Sequence, residues 1–255
     1  MNDLLDLVRR HDPDRFFTAL FAPPDRRDAL LALYAFNHEL ARAREVAHEP
    51  PLVLIRLHWW REVVDGAART HEVATPLAAA IAAGVLPRGE LRAMIDAREI
   101  EAEPMIATLA DWRAYLRATA GGVAVAAACC LGAPAPAAAR DLGAAYGAAG
   151  VLRAVPALAR QGRCLLPADV LAAHGLSPEA VVAEPHGPAL ARALAVLAAE
   201  GRAWLRPSRW PRGTIAAVLP AVLARRDLAR IPRPAGPRGL GDRLAVLAAA
   251  LMGWV

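Results

Sequence analysis

The sequence contains no lysine: all 30 of its basic residues are arginine. Aromatic residues are scarce, at 5%, and there are only three cysteines, Cys129, Cys130 and Cys164. An odd count with two adjacent residues excludes a disulfide framework and fits a reducing compartment. Cys129 and Cys130 lie among Ala and Val, which marks them as inert helix-packing thiols rather than a redox or metal site. Strand-like alternation is scarce. The longest bland stretch, "ATAGGVAVAAACCLGAPAPAAA", is broken by Pro134 and Pro136. The closing "LAVLAAALMGWV" is shorter than the roughly 20 apolar residues a bilayer span needs. The start, "MNDLLDLVRRHDPDRFF", lacks an apolar core followed by a small-residue cleavage site, so no signal peptide is expected. In "HELAR", Arg42 stands where a zinc protease needs its second His, and "GLGDRL" lacks the third Gly and preceding strand of a dinucleotide site. No nucleic-acid motif accompanies the basic charge, and no nucleic-acid partner is expected.

What is present favours helix. The chain has 255 residues, enough to bury a sizeable core, and 56% are hydrophobic, many of them Ala. Helical periodicity punctuated by Pro and Gly predicts helices near 24–48, 51–70, 76–84, 88–101, 109–132, 135–160, 187–206, 212–230 and 238–253. Shorter turns are expected near 2–10, 14–21, 167–173 and 178–183. The economical architecture is one all-α helical bundle over 1–255, with the Pro/Gly-rich "LARIPRPAGPRGLG" as a connection before the last helix. Pro156 falls inside a helical run, where it costs about 3 kcal/mol, so that helix is expected to end or kink there. The net charge of +5 is either ordinary surface arginine or the footprint of an anionic partner such as phosphate, diphosphate or lipid headgroups.

One stretch poses a sharper question. In "LYAFNHELARAREVAHEP", Leu30, Leu33, Tyr34, Asn37, Ala41 and Arg44 share one broad helical face. That face is apolar at first and polar toward its C-terminal end. Arg44 and the nearby Glu45 are either solvated where the helix leaves the core or part of a polar site. In "IRLHWWR", the Ile55, Trp59, Val63 stripe predicts that Trp59 packs inward, with Trp60 nearer the Arg56 side and open to partial exposure; the run is either packing or, as the lesser reading, a docking surface around Arg56, Trp60 and Arg61.

The same stretch resembles the first aspartate-rich motif of the squalene/phytoene synthase family. Tyr34, Ala35 and Phe36 match; Asn37 and His38 replace Cys and Arg; the aspartate positions hold Ala41, Arg42 and Glu45. "VLRAVPALARQGRCLLPADVLAAHGLS" resembles the second motif at Arg153, Gly162, Arg163, Leu166 and Pro167. Its three acids fall on Ala154, Ala157 and Leu158, and its Asn on Gly150. The intervening region is similar as well, with Glu101 at a position where the family carries Asp. The resemblance covers nearly the whole chain and implies an isoprenoid-synthase-like fold.

The family's reaction joins two prenyl diphosphates and needs Mg²⁺ to accept the leaving group. Mg²⁺ takes oxygen ligands, largely carboxylates and substrate phosphates. Ala41, Arg42, Ala154 and Leu158 provide none, leaving Glu45 and Glu101 as residual acids. The resemblance therefore implies a degenerate synthase with no catalytic residues, no metal and no cofactor. The segment from "FAPPDRRDALL" through "IRLHWWREVVDG" is most similar to the branch that includes a mitochondrial complex I assembly factor and its bacterial relatives. That branch implies support of NADH dehydrogenase assembly, with complex I subunits or assembly intermediates as partners. It also implies a cytoplasmic location, peripheral at the inner membrane, for a chain without a transit peptide. Two alternatives stay open. One is an active prenyltransferase with Mg²⁺ held by Glu45, Glu101 and Asp96 or Glu99. The other is an isoprenoid or lipid binder, in which Arg42, Arg44, Arg153, Arg160 and Arg163 grip an anion beside Tyr34, Asn37 and Trp59.

Overall fold

A computed structural model describes residues 2–47, 49–233 and 236–255. Fifteen α-helices and no β-strand occur among these residues. They are α1 (Asn2–His11), α2 (Pro13–Ala19), α3 (Pro24–Ala41), α4 (Ala43–Val46), α5 (Pro50–Asp65), α6 (Ala74–Ala82), α7 (Arg88–Ala97), α8 (Leu109–Ala118) and α9 (Ala120–Cys130). The chain continues with α10 (Ala139–Arg160), α11 (Ala168–Ala172), α12 (Pro178–Ala183), α13 (Pro188–Ala203), α14 (Pro220–Arg230) and α15 (Leu240–Met252). Single 3₁₀ turns cover Arg98–Ala102, Pro136–Ala138 and Ile215–Ala217. Proline opens α2, α3, α5, α12, α13 and α14. Its fixed φ suits the first turn, where its missing N–H costs nothing.

The all-α expectation holds, with three differences in detail. The helix expected over 24–48 breaks at Arg42, which places Arg44 and Glu45 on the separate turn α4; His48 lies outside the described residues. The helix expected over 109–132 breaks at Thr119, whose hydroxyl donates to the Tyr115 carbonyl at 2.7 Å and closes the end of α8. The run expected from 212 is first a 3₁₀ turn and becomes α14 only at Pro220. Pro156 does not end its helix, because α10 continues to Arg160. Packing of α10 against α9, α13 and α14 outweighs the local cost. The stretch Pro136–Arg160 is long and apolar enough to cross a membrane by length and composition, but it forms the middle of this packed group. In the connection before α15, Pro234 and Ala235 lie outside the described residues.

Two clusters of buried residues fill the interior. One gathers α3, α5, α6, α7 and α9 with the inner side of α15; the other gathers α8, α10, α11, α12 and α13. From Leu30 to Asn37 every residue of α3 is buried, as befits a helix enclosed by neighbours. α9 and α10 meet through small residues. A Cβ on Gly143 would lie 2.5 Å from the Ala124 Cβ and 2.6 Å from the Ala120 carbonyl oxygen. Gly150, on the exposed side of the same helix, has nothing within 4 Å of its would-be Cβ.

These two glycines should therefore respond in opposite directions. Gly143→Ala is expected to destabilise by roughly 1–2 kcal/mol, since overpacking exceeds the gain in helix propensity. Gly150→Ala should stabilise by up to about 1 kcal/mol. Urea unfolding of the two variants checks both signs.

Candidate functional site

Glu101 is the centre of the polar interior. It sits on the 3₁₀ turn that follows α7, where residues three apart eclipse each other. That geometry stacks Arg98 directly against it, with Nη1 donating to Oε1 at 2.5 Å. Arg163, just beyond the end of α10, donates from Nη2 to Oε2 at 2.6 Å. The Tyr115 hydroxyl of α8 donates to Oε1 at 2.8 Å. Arg98 also reaches the Tyr115 hydroxyl oxygen at 3.2 Å and Asn37 Oδ1 of α3 at 3.5 Å. The Glu101 side chain is only 3% exposed. Burial disfavours the Arg98 charge, but Tyr115 and Glu101 outweigh it and raise its pKa above the ordinary value. Burial pushes the Tyr115 phenol above its usual range, so it stays a donor.

A cleft of ≈ 280 Å³ opens beside this knot. Arg44, Glu101, Arg163 and Cys164 line it, together with Glu103 and Met105 from the loop after the 3₁₀ turn. Sites for drug-sized ligands run to about 300–1,000 Å³. This cleft has room for a small group and not for two prenyl chains. Burial raises the Cys164 thiol, which favours its neutral form.

The other sequence candidates are scattered. Arg42 pairs with Glu39 at 3.1 Å. Glu39 is itself buried and lies 3.8 Å from Arg56. Glu45 and Arg160 are exposed. Arg153 does not join the cleft, because Asp227 of α14 takes its Nη1 at 2.7 Å and the Gly236 carbonyl takes its Nη2 at 3.2 Å. Asp227 also accepts from Arg238, which grips Asp14 of α2. Asp96 of α7 and Glu99 of the following 3₁₀ turn are both exposed and both engaged by Arg61, each at 2.6 Å. The carboxylates of the metal-dependent alternative thus do not converge. The positions Ala41, Ala154 and Leu158 are half-buried and carry no oxygen in their side chains.

Tyr34 and Asn37 are buried, as the apolar start of their face predicts. The two tryptophans are reversed. Trp60 is 2% exposed and packs edge-on to Phe36 at 5.4 Å, whereas Trp59 is only partly buried. The inward face of α5 is set by Val53, Leu57, Trp60 and Val64, and Ile55 points to solvent. Trp60 is therefore core and not part of a docking surface.

Between the helices that bear the two motifs, little space remains. The cavity bounded by Tyr34, Val123, Ala124, Leu142, Tyr146 and Val218 measures ≈ 10 Å³. That is about one water molecule's worth. Arg15 of α2 closes it from one side, its guanidinium 4.9 Å from the Tyr146 ring and 5.8 Å from the Tyr34 ring. No cluster of three or more His, Cys, Asp or Glu side chains suited to a metal occurs among the described residues. The donor set does not fit a Mg²⁺ site, since both oxygens of the one buried acid at the cleft are already spent on guanidinium and phenol donors.

Glu101→Gln should show how much the knot contributes. It leaves two largely buried guanidiniums facing a neutral amide, and a loss of roughly 3–5 kcal/mol is expected in urea unfolding. Arg61→Gln, which removes a surface pairing, should cost less than about 1 kcal/mol.

Comparison with known proteins places the chain. The family model for squalene/phytoene synthase matches residues 8–247. A dehydrosqualene synthase in complex with ligand superposes with a TM-score of 0.77 at 14% identity, covering 98% of this chain and 95% of that one. Squalene synthase HpnC from Alicyclobacillus acidocaldarius gives 0.66 at 19%, covering 99% and 93%. Identity this low speaks to the fold alone. Complex I assembly factor 6 of Bos taurus is 28% identical over 183 residues, which cover 69% of this chain and 55% of the relative. The Drosophila melanogaster homologue is 27% identical over 198 residues, covering 70% and 57%. The chain spans about half the length of the curated relatives it matches. A match running from residue 8 to residue 247, on a helical framework shared with solved synthases, makes the chain a member of the squalene/phytoene synthase family.

Proposed function

We propose that this chain is a non-catalytic member of its family, without metal or cofactor, that serves the assembly of respiratory NADH dehydrogenase. The observation that carries the first half is the engagement of Glu101 by Arg98, Arg163 and Tyr115. Ionising an allylic diphosphate leaves a highly charged group that needs a divalent cation held by free carboxylates. Here the two motifs supply Ala41, Arg42, Ala154 and Leu158 at those positions, and Glu101, the buried acid at the cleft, is neutralised from within the protein. The ≈ 10 Å³ cavity between the motif helices supports the same reading, because a prenyl chain needs a tunnel. The second half rests on the relatives named complex I assembly factor 6. Its partners are subunits or assembly intermediates of that enzyme, met at the cytoplasmic side of the inner membrane.

Two measurements test the two halves. Folded protein incubated with farnesyl diphosphate, Mg²⁺ and NADPH should give no condensed product; Mg²⁺-dependent turnover would sink the non-catalytic reading. Membranes from a deletion strain of the host organism should lose most of their NADH dehydrogenase activity, with recovery on reintroducing this chain. Unchanged activity in the deletion strain would remove the assembly role.

A further inference from the structure

The outward face of α15 is apolar and uncovered. Leu240, Leu244, Leu247, Leu251, Met252 and Trp254 are between 40% and 73% exposed. The four leucines recur at alternating steps of four and three residues, so they form one stripe along the helix. Single exposed leucines are ordinary, but six large apolar side chains on one helix and its end form a patch. The inner face does the packing, through buried Val246, Ala249 and Ala250. Asp242, also buried, accepts from Arg226 Nε at 2.6 Å and fixes the helix with its stripe outward.

The exposed charge of the C-terminal segment has one sign. From residue 201 to 255 the sequence holds ten Arg, two Asp and no Glu. Both acids, Asp227 and Asp242, are buried and paired with arginine. The exposed side-chain charge of this region is therefore entirely positive. Arg243 lies on α15 itself and is exposed, as are Arg206, Arg209 and Arg212. Arg212 donates to the Leu251 carbonyl at 3.3 Å, which brings it to the end of the helix. Arg209 and Trp254 form an antiparallel bridge, flanked by hydrogen bonds from Trp210 N–H to Gly253 and from Ser208 N–H to Val255. Cross-strand neighbours project to the same side, so indole and guanidinium emerge together.

We propose that α15 and the adjoining segment 206–212 dock on a membrane surface bearing anionic lipids. The leucine stripe would enter the acyl boundary, Trp254 would sit at the headgroup level, and the arginines would meet lipid phosphates. A second copy fits less well, because pairing two such faces brings like-charged arginine rims together. The inference stands on this face alone and is independent of the assembly role.

Vesicle flotation tests it with the full chain. Wild type should bind vesicles of phosphatidylcholine containing about one third phosphatidylglycerol, and bind pure phosphatidylcholine at least several-fold less. High salt should weaken the binding. Leu244→Glu with Leu251→Glu alters only outward positions and should lower binding about tenfold or more while leaving the thermal unfolding curve in place. Arg209→Gln with Arg243→Gln should reduce both the binding and its salt dependence. No binding by wild type, or equal binding by the leucine variant, overturns the proposal. Attachment to native membranes but not to protein-free vesicles would assign the face to a protein partner instead. A dimer in light scattering that the leucine variant dissolves, without vesicle binding, would assign it to a second copy.

Discussion

A carboxylate buried at the junction of four elements needs compensation, and Glu101 obtains it entirely from the protein. Two guanidiniums and a phenol meet its two oxygens, and Asn37 reaches the nearer guanidinium from α3. Taking ions out of water costs several kcal/mol each, so such a group persists only when its partners are fixed in place. The partners here come from the 3₁₀ turn, from α8, and from the loop after α10. The knot therefore specifies how these elements meet as much as it stabilises them. It also decides the chemistry of the cleft, since a carboxylate held by arginine is a poor ligand for a divalent cation.

A second arginine network does for α14 what the first does for α8. Arg153 lies in the part of α10 that resembles the second motif, yet it reaches away from the cleft to Asp227. Asp227 joins it to Arg238, and Arg238 to Asp14 of α2. Arg15, next to Asp14, then lies between the rings of Tyr34 and Tyr146. Charged groups thus occupy much of the ground between α2, α10 and α14. The interior between the motif helices is closed by this network and by small residues packed at contact distance, as at Gly143. An apolar tunnel between these two helices would require both to open.

Much of the helical framework was legible because Pro, Gly and the 3.6-residue period mark it directly. Pro at the first turn and Gly66 at φ 110° after α5 are local signals with local causes. The breaks at Arg42 and Thr119 were not legible, because both sit within strong helical periodicity and the chain turns there to satisfy packing. The substitution of motif acids by Ala41, Arg42, Ala154 and Leu158 could be read from the sequence, since it needs only alignment to a pattern. The partners of Glu101 were harder. Arg98 stands three residues before it, a spacing that a 3₁₀ or α-helical turn makes a pair, and that clue was available. Tyr115 comes from another helix, and nothing in its surroundings signals a buried hydroxyl donor. Trp59 and Trp60 were exchanged because a stripe through Ile55 and a stripe through Leu57 differ by a rotation that only the bundle decides.

The two networks also link the interior to the exposed helix at the end of the described chain. Arg153 holds the Gly236 carbonyl as well as Asp227, and Arg238 follows two residues later. These contacts hold Gly236 and Arg238, shortly before α15. Arg226 and Arg230 then secure Asp242 in the first turn of α15. The helix is thus clamped at its start by arginines that are neutralised by buried acids, while the arginines beyond the clamp are exposed in a stretch of sequence, 201–255, whose only acids are those two buried ones. A rigid clamp matters for an amphipathic face, because a helix free to roll would bury its leucines against the core rather than present them. The arginine that resembles a synthase motif residue accordingly acts here on architecture. Its guanidinium orients a surface, and the fold keeps its shape without the carboxylates that a metal would need.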